Sequence, residues 1–113
     1  MTGDSFIDSL LNNISFTESN LNYANFAMVN MENILFDNTV LRNSNFQENK
    51  FKNIVLKNSD LTQSQFFKSS LNGIDFSDSI IDGIVVSIED LKGAIINEFQ
   101  AVDLIGLIGV KIK

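Results

Sequence analysis

From Phe6 to Ile96 every fifth residue is apolar without a break: Phe6, Leu11, Phe16, Leu21, Phe26, Met31, Phe36, Leu41, Phe46, Phe51, Leu56, Leu61, Phe66, Leu71, Phe76, Ile81, Val86, Leu91 and Ile96. A period of five matches neither the 3.6 of an α-helix nor the 2.0 of a flat strand, so neither element keeps these side chains on one face. The chain must turn a corner once per repeat. A second period gives the size of a full circuit. Isoleucine recurs at Ile14, Ile34, Ile54 and Ile74, and phenylalanine at Phe6, Phe26, Phe46 and Phe66, both at a spacing of twenty. A further column reads Phe16, Phe36, Leu56, Phe76, and the Leu-dominated columns between them read Leu11, Met31, Phe51, Leu71 and Leu21, Leu41, Leu61, Ile81. Four five-residue units therefore close one coil of square cross-section, and like residues stack about 4.8 Å apart as neighbouring strands do. The Phe columns with Leu56, and the Ile column, are the expected core ladder. Asn13, Asn33 and Asn53, continued by Gly73 and Gly93, read as a corner ladder, because Asn and Gly tolerate positive φ.

The 113 residues leave room for four to five such coils, above the roughly three repeats that stacked architectures need. No apolar run approaches the about 20 residues of a membrane span, and no charged-then-apolar leader opens the chain; no membrane partner and a cytoplasmic location are the expectations. With no cysteine and no histidine, disulfides, thiolate metal sites and the usual nucleophile–base pairs are excluded. Asp75, Asp78 and Asp82 precede Gly83, but their spacing is not that of a calcium loop, and no glycine-rich phosphate loop occurs. A narrow interior filled by its own side chains offers no substrate pocket. Neither catalysis, metal nor cofactor is expected.

The triplets Ser19-Asn20-Leu21, Ala24-Asn25-Phe26, Ser44-Asn45-Phe46 and Ser59-Asp60-Leu61 resemble the pentapeptide-repeat family, whose consensus is a small residue, Asp or Asn, Leu or Phe, and two variable positions. The resemblance implies an all-β fold, a right-handed quadrilateral parallel β-helix. Residues 1–96 form the rod in this reading, and 97–113 a short C-terminal α-helical cap and tail within the same domain. Glu89 falls where a small inward residue belongs, so a tight helical turn begun by Ser87 is expected to carry it outward. Asn97 followed by Gln100 reads as a helix N-cap. The run Glu89 to Ile96, with Gln100-Ala101 and Leu107 to Val110, looks like the cap of bacterial members related to quinolone-resistance proteins. There it joins two rods end to end. By that likeness Leu104, Ile105, Leu107, Ile108, Val110 and Ile112 form a homodimer interface; by the bland alternative they cover the last coil. The repeat begins almost at Met1 without a capping segment.

Function is left to the outer surface. A net charge of −6 disfavours direct nucleic-acid binding, which needs clustered Lys and Arg. Charge alternates along the chain as −5 over residues 1–40, +3 over 41–70 and −4 over 71–113. The resemblance implies a DNA mimic that binds DNA gyrase or topoisomerase IV and confers fluoroquinolone resistance. This chain is about half the length of those relatives and shows no looped insertion, and its alternating charge copies phosphate poorly. The other reading is a structural or regulatory scaffold for some other protein, through a lateral patch of Leu35, Val40 and Val55. Phe67 and Tyr23 are also expected to point outward.

Overall fold

The structure, a computed structural model, describes residues 10–105. Three strands, β1 (Leu10–Thr17), β2 (Asn30–Asp37) and β3 (Lys50–Lys57), form a parallel sheet in the order β1-β2-β3. Leu11 lies beside Met31 and Met31 beside Phe51, while Phe16, Phe36 and Leu56 follow one another in the same way. The register is twenty throughout. No strand is straight, because Asn13, Asn33 and Asn53 sit midway at φ of 58°, 58° and 57°. That left-handed residue turns each strand from a first wall onto a second. Parallel bridges through Asn20, Val40, Asp60 and Ile80 build a third wall, and those through Asn25, Asn45, Gln65 and Val85 a fourth.

A left-handed residue recurs at every fifth position from Asn13 to Gly73, and again at Gly83 and Gly93. Glu18, Tyr23, Met28, Glu48, Gln63 and Lys68 all adopt it, although such a conformation costs an ordinary residue roughly 1–2 kcal/mol. The corners are held by two recurring bonds. The residue after the corner donates its amide back across it, as Ala24 does to the Leu21 carbonyl and Ser64 to that of Leu61 (3.0 Å each). The Asn or Asp before the central apolar residue accepts the amide two positions on, from Asn20 to Asn22, Asn25 to Ala27 and Asn45 to Gln47 at 3.0 Å each. These are Asx turns, and they explain why that position is so often Asn or Asp. Val40 has no such oxygen, and Arg42 N–H instead donates to Asn22 Oδ1 one coil away (2.9 Å).

The inward small residue also has a polar task. Ser44 Oγ donates to the Leu21 carbonyl (2.9 Å) and Ser64 Oγ to that of Leu41 (2.6 Å), with Thr39 and Ser59 bonding to Phe16 and Phe36. Each hydroxyl satisfies a carbonyl that the corner turns inward. Inside this lining, Phe26, Phe46 and Phe66 stack with ring centroids 5.0 Å apart, and Phe16 lies 5.2 Å from Phe36. Phe66 meets Phe76 of the opposing column edge-on at 6.3 Å. Phe26, Phe36, Phe46, Phe66, Phe76, Leu56, Ile34 and Ile74 are buried; Phe16, Ile14 and Ile54 are half-buried. Phe6 lies outside the described residues.

Between the corners at Gly83 and Gly93 the left-handed turn is replaced. A β-branched side chain at Ile88 would be strained at positive φ, and Ile88–Leu91 instead forms a 3-10 turn that carries Glu89 outward. Ser87 precedes it, but its side chain makes no cap; Asp90 N–H bonds the Ser87 carbonyl (3.0 Å). A helix, α1 (Glu98–Ile105), follows. Asn97 and Gln100 cap it reciprocally: Gln100 N–H donates to Asn97 Oδ1 (2.8 Å) and Asn97 N–H to Gln100 Oε1 (2.9 Å). Gln100 Nε2 also donates to the Phe76 and Ser79 carbonyls at 2.6 Å each, tying α1 to the preceding coil.

Candidate interaction walls

The period of twenty sorts charge by wall, which a sum along the chain conceals. Glu18, Asp37, Asp75, Asp78 and Glu98 share the second wall or its corner with one base, Lys57. The ion pairs among the described residues lie elsewhere: Glu32 to Lys52 (3.7 Å) on the first wall, Arg42 to Asp60 (3.4 Å) on the third, and Glu48 to Lys68 (3.5 Å) at the fourth. All three are at least partly solvent-exposed and contribute about 0–1 kcal/mol each, but they cancel charge locally. The second wall is left with an excess of acids over Lys57, which lies in register beside Asp37. Asp75 is held below the ordinary carboxylate range by the hydroxyl and then the amide of Ser77, which donate to its Oδ1 at 2.6 and 2.9 Å. It therefore remains charged throughout the physiological range.

Leu35 lies in register with Val55 on this same wall, Leu35 half-buried and Val55 41% exposed. Val40 belongs to the third wall and is half-buried between Asn20 and Asp60. The three residues therefore straddle a corner. The larger exposed apolar area lies toward the other end of the rod, in Ile80, Val85, Ile88 and Ile95, with Phe99 (80% exposed) and Val102 on the outer side of α1. Phe67 and Tyr23 are exposed as well. Of the residues expected at a dimer interface, Leu104 and Ile105 are half-buried and line an end groove of about 260 Å³ with Leu91, Ala94, Ile96 and Ala101. Leu107, Ile108, Val110 and Ile112 lie outside the described residues. Phe99 and Val102 are three apart on a helix whose opposite side carries the buried Gln100, so they face outward and widen its apolar surface beyond a single stripe.

Asp75, Asp78 and Asp82 are separately exposed, and no group of three acidic side chains among the described residues could hold a metal ion. No helix among them is long and apolar enough to cross a membrane.

Comparison with known proteins agrees with this geometry. Among solved structures the chain is similar to HetL, a pentapeptide-repeat protein involved in heterocyst differentiation regulation from the cyanobacterium Nostoc sp. strain PCC 7120, at a TM-score of 0.55 and 15% identity over 82% of this chain. It spans 47%, about half, of HetL. Looser likenesses are to the pentapeptide-repeat protein Rfr23 from the cyanobacterium Cyanothece 51142 (TM-score 0.39, 14% identity, 85% of this chain and 90% of that one). A trypsin-treated variant of QnrB1, a plasmid-mediated fluoroquinolone resistance protein, gives a TM-score of 0.36 and 10% identity over 99% of this chain and 96% of that one. No curated protein sequence matches the chain. The family pattern described as pentapeptide repeats matches in eight copies across residues 5–38 and 33–63, which is over half of the 113 residues. With the register of twenty, the repeated corners and the HetL likeness, this shows that the chain belongs to the pentapeptide-repeat family.

Proposed function

We propose that this chain is a non-enzymatic, right-handed quadrilateral rod of four to five coils, closed by α1, that binds another protein through its second wall. The observation that carries the reading is the excess of negative charge on that wall, where Glu18, Asp37, Asp75, Asp78 and Glu98 outnumber Lys57. Such a face is attracted to a basic groove and steers encounter with it. The DNA-binding surface of a type II topoisomerase, gyrase or topoisomerase IV, is a groove of that kind. Magnitude limits the mimicry: a duplex as long as the 42 Å axis of this molecule carries about 25 charges at roughly one per 1.7 Å. The wall therefore works as a partial copy, with shape and apolar contacts supplying the rest. Two rods joined through Leu104, Ile105, Leu107, Ile108, Val110 and Ile112 would double the acidic wall, and the apolar end groove beside α1 supports that arrangement.

The test is a gyrase supercoiling assay titrated with the protein, with and without a quinolone. Inhibition or drug rescue is expected at low micromolar protein, and is expected to be lost in the Asp37→Lys, Asp78→Lys double variant. No effect of the parent protein up to its solubility limit sinks the topoisomerase reading. A second reading, a scaffold for another protein, is favoured by the in-register stack of Leu35 on Val55.

A further inference from the structure

Coil is bonded to coil by a fixed pattern of amides. Leu21, Tyr23, Phe26 and Met28 donate to the carbonyls of Val40, Arg42, Asn45 and Gln47 at 2.7–2.9 Å. One level on, the equivalent donors on the first two walls are Phe51, Asn53, Leu56 and Asn58, facing the carbonyls of Ser70, Asn72, Asp75 and Ser77. None of these four bonds forms, and the sheet ends at β3. The reverse bonds, from the amides of Ser70 and Asp75 to the carbonyls of Asn49 and Ile54, are missing too. Ser77 O accepts from Asn97 Nδ2 instead (2.8 Å). At the same level the third and fourth walls are intact: Leu61 bonds Ile80, Gln63 bonds Asp82 and Phe66 bonds Val85 at 2.7–2.8 Å, with Ile80 and Val85 donating back to Ser59 and Ser64 at 2.9 Å.

The sequence supplies a local cause. Asn53 Nδ2 donates to Asn33 Oδ1 (2.6 Å), but the next residue of that corner column is Gly73, which has no amide side chain to extend the ladder. Asn72 leans away from β3 toward Gly93, where its side chain occupies the space that a Cβ would need. The consequences reach the core. Phe51 and Ile54 are half-buried, whereas Met31 and Ile34 one coil earlier are 1% exposed. A void of about 20 Å³ lies beneath, between Phe51, Ile54, Leu56 and Ile74, and a polar depression of about 490 Å³ lined by Asn49, Lys50, Ser70 and Asn72 opens above it.

We infer that β3 and residues 70–77 are the two lips of a hinged seam, closed on the third and fourth walls and free to open and shut on the first and second. Every lip group has its complement directly opposite. Open, the amides bond water; shut, they bond each other, so the two states exchange one set of hydrogen bonds for another of similar strength. The coils beyond residue 70 tilt as a unit about the intact walls. Glu18 and Asp37 lie on one side of the seam and Asp75, Asp78 and Glu98 on the other, so opening changes the spacing of the acidic wall whatever that wall binds.

The experiment is residue-resolved amide hydrogen exchange on the whole chain, with Val55→Cys and Asp75→Cys introduced together as a redox-controlled clasp. Val55 and Asp75 are twenty apart and outward on adjacent coils, where closure brings their backbones within disulfide reach. Phe51, Asn53 and Leu56 are expected to exchange at least roughly tenfold faster than Met31, Asn33 and Phe36 in the parent protein, reporting local opening below the global unfolding free energy. Oxidation of the double variant is expected to abolish that difference. Equal protection in the parent protein overturns the seam. A clasp that will not form in the folded protein, while the Leu35→Cys, Val55→Cys control does, overturns the hinge and leaves a fixed gap.

Discussion

Asn49 occupies an inward position at which the next coil uses the hydroxyl of Ser69 and the preceding coil has Val29. Its Oδ1 accepts the Val29 amide (3.0 Å), yet its Nδ2 is buried without an acceptor. An unsatisfied buried donor costs about 1–3 kcal/mol. Asn49→Ser restores the arrangement of Ser44 and Ser64, whose hydroxyls each donate to a carbonyl of the preceding coil. This variant is expected to be more stable than the parent protein by about 1 kcal/mol in urea denaturation; a loss of stability contradicts the assignment. Asp75 makes an opposite kind of statement. Its folded pKa is lowered by Ser77, so the stabilisation it gives is complete above the ordinary carboxylate range and disappears as pH falls through the folded value. Asp75→Asn is expected to flatten the acid limb of a stability–pH curve and leave the shape near neutrality unchanged. The Asx turn at Asp75 and the inward small-residue position that Asn49 occupies are both legible in the consensus triplets. The orphaned Nδ2 is not, because a sequence shows that Asn replaces Ser but not whether a carbonyl lies within its reach.

At the scale of the element, α1 is anchored by one polar side chain as well as by Leu104 packed on the core. Gln100 is buried, caps the helix through Oε1 and holds two carbonyls of the preceding coil through Nε2. Its replacement in Gln100→Ala leaves several buried backbone groups unpaired, and a destabilisation of about 2–3 kcal/mol is expected. Circular dichroism and urea melts on the variant measure it, and a change below about 0.5 kcal/mol removes Gln100 from this role. The spacing of Asn97 and Gln100 made the cap readable in advance, as did the outward turn at Glu89, where an inward carboxylate is untenable. The strands were less readable. Asn13, Asn33 and Asn53 declared a corner, but that the chain pairs on both sides of it as eight-residue β1, β2 and β3 follows from hydrogen bonds between coils. Equally hidden was the interruption after β3, since Leu71, Ile74 and Phe76 keep the apolar register while the backbone ladder beside them lapses. Side-chain periodicity reports what faces inward, not what the backbone bonds.

For the whole molecule, the separation of a filled interior from four outer walls means that surface and stability can be varied independently. Val55→Asp adds a charge at a 41% exposed site on the second wall and is expected to change stability by less than about 0.5 kcal/mol. It is also expected to abolish binding of any partner that uses the Leu35–Val55 stack, and pull-down with parent and variant protein distinguishes the outcomes. Retained binding removes that stack from the interface. Charge was the property least legible in the linear sequence: summed by position it alternates, and only folding by twenty gathers Glu18, Asp37, Asp75, Asp78 and Glu98 onto one side. The same register of twenty bears on how such a chain can change length. Each residue's environment is set by its place within the coil, so removing or duplicating one residue moves every later side chain to a different station, and inward Phe becomes outward. A block of twenty can be copied or deleted with each following residue returning to an equivalent place. Rods of this design should therefore differ in length by whole circuits, growing and shrinking in the manner of a stack of identical tiles.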